Sequence, residues 1–171
     1  MARNITSRVS YLDKDFNGLK RAERDKAIYV RKKIHDIYWK YEFVKKETYW
    51  LDKLKDFDRT PNVVKKEDHE FVMEYVGEPV TSENLPDDWR EQVEHILKQL
   101  EEHGCSHNDI KREEILVKDG KLHLVDFQHA THGRAEFFKG EHKIRGIMKR
   151  EDRKSFEVEL GRLEKKKCKT S

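Results

Sequence analysis

Residues 106–115, which read SHNDIKREEI, and residues 126–128, which read DFQ, decide the fold of this chain. Two apolar-rich runs connect them, residues 115–118 and residues 121–125, and Asp119-Gly120 lies between the runs. An Asp-Gly pair suits the positive φ angles of a two-residue hairpin turn. The pattern therefore predicts a β-hairpin with a polar loop before it and an acidic residue after it.

The predicted hairpin has an acidic residue at each end, Asp109 in the preceding loop and Asp126 directly after the second strand. Phosphoryl transfer uses two carboxylates in this way. One orients the attacking hydroxyl, and the other holds the metal that bridges the nucleotide phosphates. Asp109 and Asp126 are therefore the first candidates for a catalytic site.

At these residues the chain resembles the protein-kinase-like superfamily. Residues 107–111, HNDIK, are similar to the catalytic loop H-R-D-L-K, with Asn108 in place of the arginine. Residues 126–128 are similar to the motif D-F-G. The resemblance extends over about residues 27–128 and is strongest from 104 to 128. The short C-terminal part looks more like atypical small kinases and bacterial kinases of lipopolysaccharide sugars than like regulatory protein kinases.

The resemblance implies a role for each residue of the two motifs. Asp109 would orient the acceptor hydroxyl and take its proton late in the transfer, and Lys111 would neutralise charge on the transferring phosphoryl group. ATP would be the donor, and Glu114 and Asp126 would hold Mg²⁺. His107 is expected to be structural.

Besides Asn108, the chain departs from the family pattern at two motif positions, and one motif of the family is missing. Glu114 stands where the family has a magnesium-binding asparagine, although glutamate is also a hard oxygen ligand. Gln128 replaces the glycine of D-F-G, which restricts the backbone after the metal-binding aspartate. The first 26 residues favour strands with a turn near Gly18, but they contain no glycine-rich phosphate loop.

A strand is predicted over residues 27–34, with Ile28, Val30 and Lys32 on one face. This strand resembles the family strand V-A-I-K, whose lysine contacts the nucleotide phosphates. Lys32 is the choice for that lysine, and Lys33 is the alternative if the register shifts by one.

Glu47 lies fifteen residues after Lys32, on the first helix that follows the strand. The resemblance implies that it pairs with the lysine, and Glu42 is the competing residue. A glutamate partner matters because it holds a flexible ammonium group where the phosphates arrive.

Residues 69–76 are predicted to form the strand that leads into the hinge between two lobes, and Gly77 ends it. The resemblance implies that the backbone of Glu74, Tyr75 and Val76 binds the adenine of ATP.

Helical periodicity appears in three stretches, residues 41–57, residues 84–104 and roughly residues 150–167. The expected fold is therefore α+β and two-lobed, with a small β-rich N-terminal lobe over about residues 1–76 and a minimal, truncated helical C-terminal lobe over about residues 80–171. The hinge is expected near residues 74–79. The chain after Gly133 is expected to be irregular, and the tail at residues 165–171 is expected to be basic and frayed.

Charge is distributed unevenly along the chain. Residues 51–138 hold 12 Lys and Arg against 21 Asp and Glu, whereas residues 1–50 hold 13 against 7 and residues 139–171 hold 12 against 6. The acidic middle contains the candidate site, where excess carboxylates suit a divalent cation. No run is long and apolar enough to span a membrane, and two cysteines make no disulfide framework, so a reducing cytoplasm is expected.

These observations predict an ATP- and Mg²⁺-dependent phosphotransferase whose partner is a hydroxyl-bearing acceptor, either a sugar or other small molecule or a protein serine or threonine. The alternative is a pseudokinase, a nucleotide-binding scaffold without turnover, which Glu114, Gln128 and the missing glycine-rich loop favour. A nucleic-acid partner is not expected, because the sequence contains no motif that reads bases.

Overall fold

The computed structural model describes residues 7–15, 18–21, 27–34, 40–132 and 152–170. Five strands form an N-terminal sheet in the order β2-β1-β3-β5-β4, and each neighbouring pair is antiparallel. Their bounds are β1 Ser7–Asp15, β2 Gly18–Arg21, β3 Tyr29–Ile34, β4 Val63–Lys66 and β5 Glu70–Glu74. β1 and β2 pair where the family would place its phosphate loop, and the residues that join them, 16 and 17, lie outside the described residues.

Strand β3 begins at Tyr29, two residues later than expected, because the chain bends at Ile28. The bend breaks the alternation of faces, so Ile28 is half exposed rather than buried. Beyond the bend the alternation holds: Val30 and Lys32 share the buried face.

Helix α1, Lys40–Lys53, packs against this sheet and supplies much of the core beneath it. Val44, Trp50, Leu51 and Leu54 are almost completely buried. The helix was expected to continue to residue 57, but it ends at Lys53 and tightens into turns. The carbonyl of Leu54 accepts the backbone N–H of Phe57 at 2.9 Å and the hydroxyl of Thr60 at 3.3 Å, and these bonds hold the turns that follow the helix.

Helix α2, Trp89–Glu102, presents its apolar stripe to the core, as the periodicity predicts. It starts later than expected, because residues 81–88 form turns in which the Asn84 side chain accepts the backbone N–H of Thr81 at 2.7 Å. Gly104 follows the helix with φ +62°, the left-handed conformation that commonly ends a helix.

The predicted hairpin is present as β8, Ile115–Lys118, and β9, Lys121–Leu124. Its turn residues have positive φ, +51° at Asp119 and +72° at Gly120, which matches a turn with both central residues left-handed. Three two-residue strands complete the sheets: β6 Glu78–Pro79, β7 Cys105–Ser106 and β10 Thr131–His132.

The segment between the sheet and α2 passes very close to β8. Gly77 has φ +115°, and a Cβ atom at this position would lie 2.1 Å from the carbonyl oxygen of Val117. Only glycine fits such an approach without a rearrangement. The strand expected over residues 69–76 accordingly ends at Glu74, ahead of this turn.

Helix α3, Asp152–Thr170, packs on α2 through a buried apolar face and through ion pairs, such as Arg90 with Glu164 at 2.6 Å. The expectation of a frayed tail from residue 165 was wrong, because the helix continues to Thr170. Lys167 anchors its last turns with a 2.6 Å ion pair to Asp87. The irregular chain expected after Gly133 lies outside the described residues.

The chain is thus α+β, with a β-rich N-terminal region and three α-helices in the residues that the structure describes, as expected for a truncated two-lobed kinase-like fold. One apolar cluster runs from the sheet through α1 and α2 to α3. Within the described ranges, no helix has the length and hydropathy needed to cross a membrane.

Candidate active site

Three charged side chains from separate elements meet beneath the sheet. The ammonium of Lys32, on β3, lies 2.9 and 3.1 Å from the two carboxylate oxygens of Glu47, on α1. It also lies 2.8 Å from Oδ1 of Asp126, directly after the hairpin. Lys32 and Glu47 are almost fully buried, so the contacts are shielded from water. The structure therefore brings together the lysine, the glutamate and the second aspartate of the predicted site.

The alternative residues for this pair lie elsewhere. The side chain of Lys33 is 44% exposed and faces Glu70, at 3.8 Å. Glu42 is exposed in the first turn of α1. Neither contacts Asp126 among the described interactions, whereas Lys32 and Glu47 occupy one buried cluster with it.

The electrostatics of this cluster favour a charged lysine. Burial alone would lower the pKa of Lys32, but the Glu47 and Asp126 carboxylates outweigh burial and raise it. Burial raises the pKa of Glu47, and the adjacent ammonium offsets only part of that effect. Burial also acts to raise the pKa of Asp126, but Lys32 outweighs it, so that pKa is lowered. Lys32 and Asp126 therefore hold opposite charges at neutral pH.

The loop before the hairpin is organised around a neutral His107. Its ring is completely buried, and burial lowers its pKa. Nε2 lies 2.9 Å from the carbonyl oxygen of Val125, which can only accept a hydrogen bond, so the ring proton is on Nε2. Nδ1 is then free to accept the backbone N–H of Asp109 at 3.4 Å. His107 thus joins the loop to the strand that delivers Asp126, which is the structural role expected for it.

Asp109 lies at the open end of this loop, with its side chain 30% exposed. Lys111 donates to its Oδ2 at 2.7 Å, and Nε2 of His129 lies 3.9 Å from the same oxygen. The two predicted catalytic residues are therefore in direct contact. His129 is a third member of this group, which the sequence analysis did not identify.

Glu114 is buried beside the two aspartates. Burial raises its pKa to about 8, and the negative charges of Asp126 and Asp109 contribute to the shift. One of its oxygens accepts the backbone N–H of Lys111 at 3.0 Å. Crowding of carboxylates that raise one another's pKa is a property of cation sites, because a bound cation relieves the repulsion.

Glu114 and Asp126 fit the requirements of a nucleotide-bound Mg²⁺. Both supply hard oxygens, and such an ion is typically bound by one or two carboxylates together with substrate phosphates and waters. No group of three or more His, Cys, Asp or Glu side chains able to hold a metal occurs in the part of the chain that the structure describes. Two carboxylates are a donor set compatible with a magnesium ion that is also bound by nucleotide phosphates and waters.

Two of the substituted motif residues, Asn108 and Gln128, have backbone conformations that suit their residue types. Asn108 adopts φ +69°, a left-handed conformation that asparagine tolerates, and its amide Nδ2 donates to the carbonyls of Ser106 and His129 and to the hydroxyl of Thr131. Gln128 lies in a short 3₁₀ helix, Phe127–His129, where its φ is not positive. The missing glycine therefore imposes no backbone strain in this conformation.

Asp152, the first residue of α3, is a further member of the site that the sequence analysis missed. Its carboxylate accepts the backbone N–H of His107 at 2.7 Å and that of Asn108 at 2.8 Å. An acidic residue at the start of a helix was the only local signal, and it did not indicate contact with a loop more than forty residues earlier.

The predicted hinge residues connect β5 to β6. The backbone N–H of Tyr75 donates to Ile28, and its carbonyl accepts Lys118 from the hairpin at 3.0 Å. The Tyr75 hydroxyl donates to Glu78, and the Glu74 carboxylate accepts the backbone and side chain of Asn62. Val76 is buried.

A cavity of about 520 Å³ adjoins the hinge, and its lining includes Glu74, Tyr75, Val76, Lys118 and residues 55–58 of the loop after α1. Lys32 and Asp126 do not line it. It is therefore separate from the charged cluster beneath the sheet.

A comparison with protein-family models matches residues 8–140 to the RIO domain. A search of curated proteins found no match. The matched range begins at the second residue of β1 and extends past β10, so it contains the Lys32 cluster and the Asp109 loop, and it covers well over half of the chain. RIO domains are part of the atypical protein-kinase-like superfamily. The chain therefore belongs to the RIO domain family of atypical kinase-like proteins.

Proposed function

We propose that this protein is an ATP- and Mg²⁺-dependent phosphotransferase that acts on a hydroxyl acceptor. The observation that carries the proposal is the buried contact of Lys32 with both Glu47 and Asp126. A charged lysine held between two carboxylates beneath a sheet has little value for stability, because burying such charges costs several kcal/mol per ion. Such a cluster is useful in a nucleotide site, because the lysine can contact the anionic phosphates while a carboxylate next to it binds the divalent cation.

Each residue has a place in the proposed reaction. Lys32, positioned by Glu47, contacts the nucleotide phosphates, and the hinge segment of Glu74, Tyr75 and Val76 contacts the adenine. Asp109 orients the acceptor hydroxyl and receives its proton as the new bond forms. Lys111, which contacts Asp109, neutralises negative charge on the phosphoryl group during its transfer.

Magnesium fits Glu114 and Asp126. When bound with the nucleotide, it neutralises charge on the phosphate oxygens and orients the phosphoryl group for transfer. The chain itself keeps Asp126 ionised through Lys32 and keeps Glu114 in a carboxylate-rich position.

The acceptor is proposed to be a sugar, another small molecule or a protein serine or threonine. The cytoplasmic location expected from the cysteine content stays a prediction. The two cysteines are free thiols, Cys105 buried and Cys168 exposed.

A second candidate is a nucleotide-binding protein without turnover. Glu114 in place of asparagine favours it, because a carboxyl with a pKa of about 8 is mostly protonated at neutral pH in the unliganded site, and a protonated carboxyl is a poor metal ligand. In this case the protein binds ATP but transfers no phosphate.

The test has two steps. First, calorimetric and thermal-shift titrations of ATP with and without Mg²⁺ compare the parent, Asp126→Asn and the control Asp68→Asn, a residue that is exposed in the turn before β5. Magnesium-dependent binding that Asp126→Asn loses and Asp68→Asn retains supports the metal–nucleotide site. Absence of ATP and GTP binding in the parent contradicts it.

Second, γ-labelled ATP is used to follow phosphoryl transfer to water, to the protein itself and to a panel of sugars and peptides. The phosphotransferase proposal expects turnover that Asp109→Ala abolishes while nucleotide binding remains. Binding without turnover in the parent favours the second candidate.

A further inference from the structure

His129 is held firmly beside the catalytic loop by its backbone. Its carbonyl accepts the Asn108 amide at 3.1 Å, and the same amide also binds Ser106 and Thr131. The next carbonyl, that of Ala130, accepts the indole N–H of the buried Trp50 at 3.2 Å. The position of His129 is therefore set by the core and by the loop that carries Asp109.

The imidazole of His129 stands next to Asp109 without touching it. Nε2 lies 3.9 Å from Oδ2, which is too far for a direct hydrogen bond. A hydroxyl oxygen about 2.8 Å from each atom can lie between them and bond to both. The side chain of His129 is 34% exposed and that of Asp109 is 30% exposed, so a molecule arriving from solvent can reach this gap.

We infer that His129 is a positioning residue for the acceptor, and that its Nε2 and Oδ2 of Asp109 together hold the hydroxyl that is phosphorylated. This inference rests on the proposed function and adds to it the way in which the acceptor is oriented. Asp109 alone orients only the O–H bond of the hydroxyl, because it accepts that proton. With His129 as a donor to the hydroxyl oxygen, a lone pair of the oxygen is oriented as well.

The reaction proceeds with the hydroxyl donating its proton toward Asp109 and accepting a hydrogen bond from the N–H of His129. The hydroxyl oxygen forms a bond to the γ-phosphorus as the bond from that phosphorus to the β–γ bridging oxygen breaks. ADP leaves with the electron pair of the broken bond, and the hydroxyl proton passes to Asp109. His129 keeps its own proton throughout.

A neutral ring with its one N–H on Nε2 is the form of His129 that this role requires. Burial lowers the pKa of His129, although Asp109 and Asp126 act in the opposite direction, and a lowered pKa favours the neutral ring. The ring also makes an edge-to-face contact with Phe43, at a centroid distance of 6.2 Å, and this contact would be kept by any aromatic ring at the position.

The experiment measures MgATP hydrolysis by the full chain, because water can serve as the hydroxyl acceptor before the natural one is known. The variants are His129→Phe, which keeps a ring against Phe43 but removes the N–H, and His129→Gln, which restores an N–H donor. The matched control is His95→Gln, since His95 is also exposed and lies 3.7 Å from an aspartate, Asp58, outside the site. Asp109→Asn defines the background rate.

We expect His129→Phe to lower kcat about 10- to 100-fold while KM for ATP changes less than about 2-fold, because orientation of the reactants is lost but nucleotide contacts are not. His129→Gln should recover most of the rate, and His95→Gln should match the parent. A parental kcat in His129→Phe, or equal losses in the Phe and Gln variants, overturns the inference while leaving the proposed function intact. A parent that binds MgATP but never exceeds the Asp109→Asn background overturns the proposed function and the inference together.

Discussion

The ammonium of Lys32 lies 2.8 Å from Oδ1 of Asp126, although 94 residues separate them in the chain. This single contact joins the N-terminal sheet to the end of the hairpin. It also helps to keep both groups charged, since Asp126 acts together with Glu47 to raise the pKa of Lys32 and Lys32 lowers the pKa of Asp126. The contact therefore has consequences for stability as well as for nucleotide binding.

Replacing Lys32 by methionine should destabilise the protein strongly. The change leaves Glu47 completely buried without a cation, and breaking a buried ion pair from one side costs about 3–5 kcal/mol. The free energy of unfolding is measured by urea denaturation. The double variant Lys32→Met with Glu47→Gln should recover part of the loss, because the uncompensated charge is gone.

The matched control for this prediction is Lys33→Met, at the neighbouring exposed position. It should change the unfolding free energy by less than about 0.5 kcal/mol. Equal stability of Lys32→Met and the parent would show that the buried pair does not form in solution.

Asp152 should be required for an ordered catalytic loop. Its removal in Asp152→Ala leaves the N–H groups of His107 and Asn108 without their acceptor, and an unsatisfied buried donor costs about 1–3 kcal/mol. We expect a lower Tm and faster amide hydrogen exchange at residues 107 and 108. Asp152→Asn keeps one acceptor oxygen and should show a smaller effect.

The control for the Asp152 variants is Asp68→Ala, which removes an exposed carboxylate that has no contact with the loop. Unchanged exchange at residues 107 and 108 in Asp152→Ala would mean that other contacts order the loop. His107 itself, through its bond to Val125, would then be the main anchor.

Much of the fold and part of the site could be predicted because their signals are local. The Asp-Gly turn specifies the hairpin through φ angles that few residues adopt, and the alternation along β3 places Lys32 on the buried face. The order of the motifs then limits the acidic partner of Lys32 to Glu47 or Glu42 on the helix that follows the strand. The nucleotide and metal roles of these residues stay predictions.

The rest depends on contacts between distant segments, which local patterns do not specify. Asp152 reaches the catalytic loop from 44 and 45 residues away, and nothing in its neighbours indicates this. Asn108 looks like a lost arginine in the sequence, whereas its amide joins three separate groups. His129 lies beside Asp109 only because a short 3₁₀ turn follows Asp126, and the sequence pattern does not predict that turn.

Stability should depend on His123 at mildly acidic pH. Burial, with Arg59 nearby, lowers the pKa of this histidine to about 4, and its Nδ1 has no hydrogen-bond partner among the described residues. The unfolded chain binds a proton near pH 6.5, whereas the folded chain does not bind it until about pH 4. The stability that the protein has with a neutral, buried His123 is therefore fully present above pH 6.5 and is lost as the pH falls toward 4.

This pH dependence is tested with His123→Leu, which removes the ionisable group from the same buried position. Between pH 6.5 and 4 the parent should lose about 2–3 kcal/mol more than the variant, a difference set by the separation of the two pKa values. Urea denaturation across this range gives the comparison, and the other ionisable groups cancel because they are common to both proteins. Parallel curves would mean that His123 is protonated in the folded state as readily as in the unfolded one.

Gly77 should be irreplaceable in the hinge, because two separate constraints coincide there. Its φ of +115° strains any other residue, and an added Cβ would lie 2.1 Å from the Val117 carbonyl oxygen. Gly77→Ala therefore has to push the hinge away from β8, which should cost more than about 2 kcal/mol of unfolding free energy and weaken ATP binding.

Gly104→Ala is the matched control, because Gly104 also has a positive φ, +62°, but no atom lies within 4 Å of the added Cβ. It should cost only about 1 kcal/mol and leave ATP binding unchanged. Similar losses in the two variants would mean that backbone strain alone, and not the close approach to Val117, makes the hinge glycine necessary.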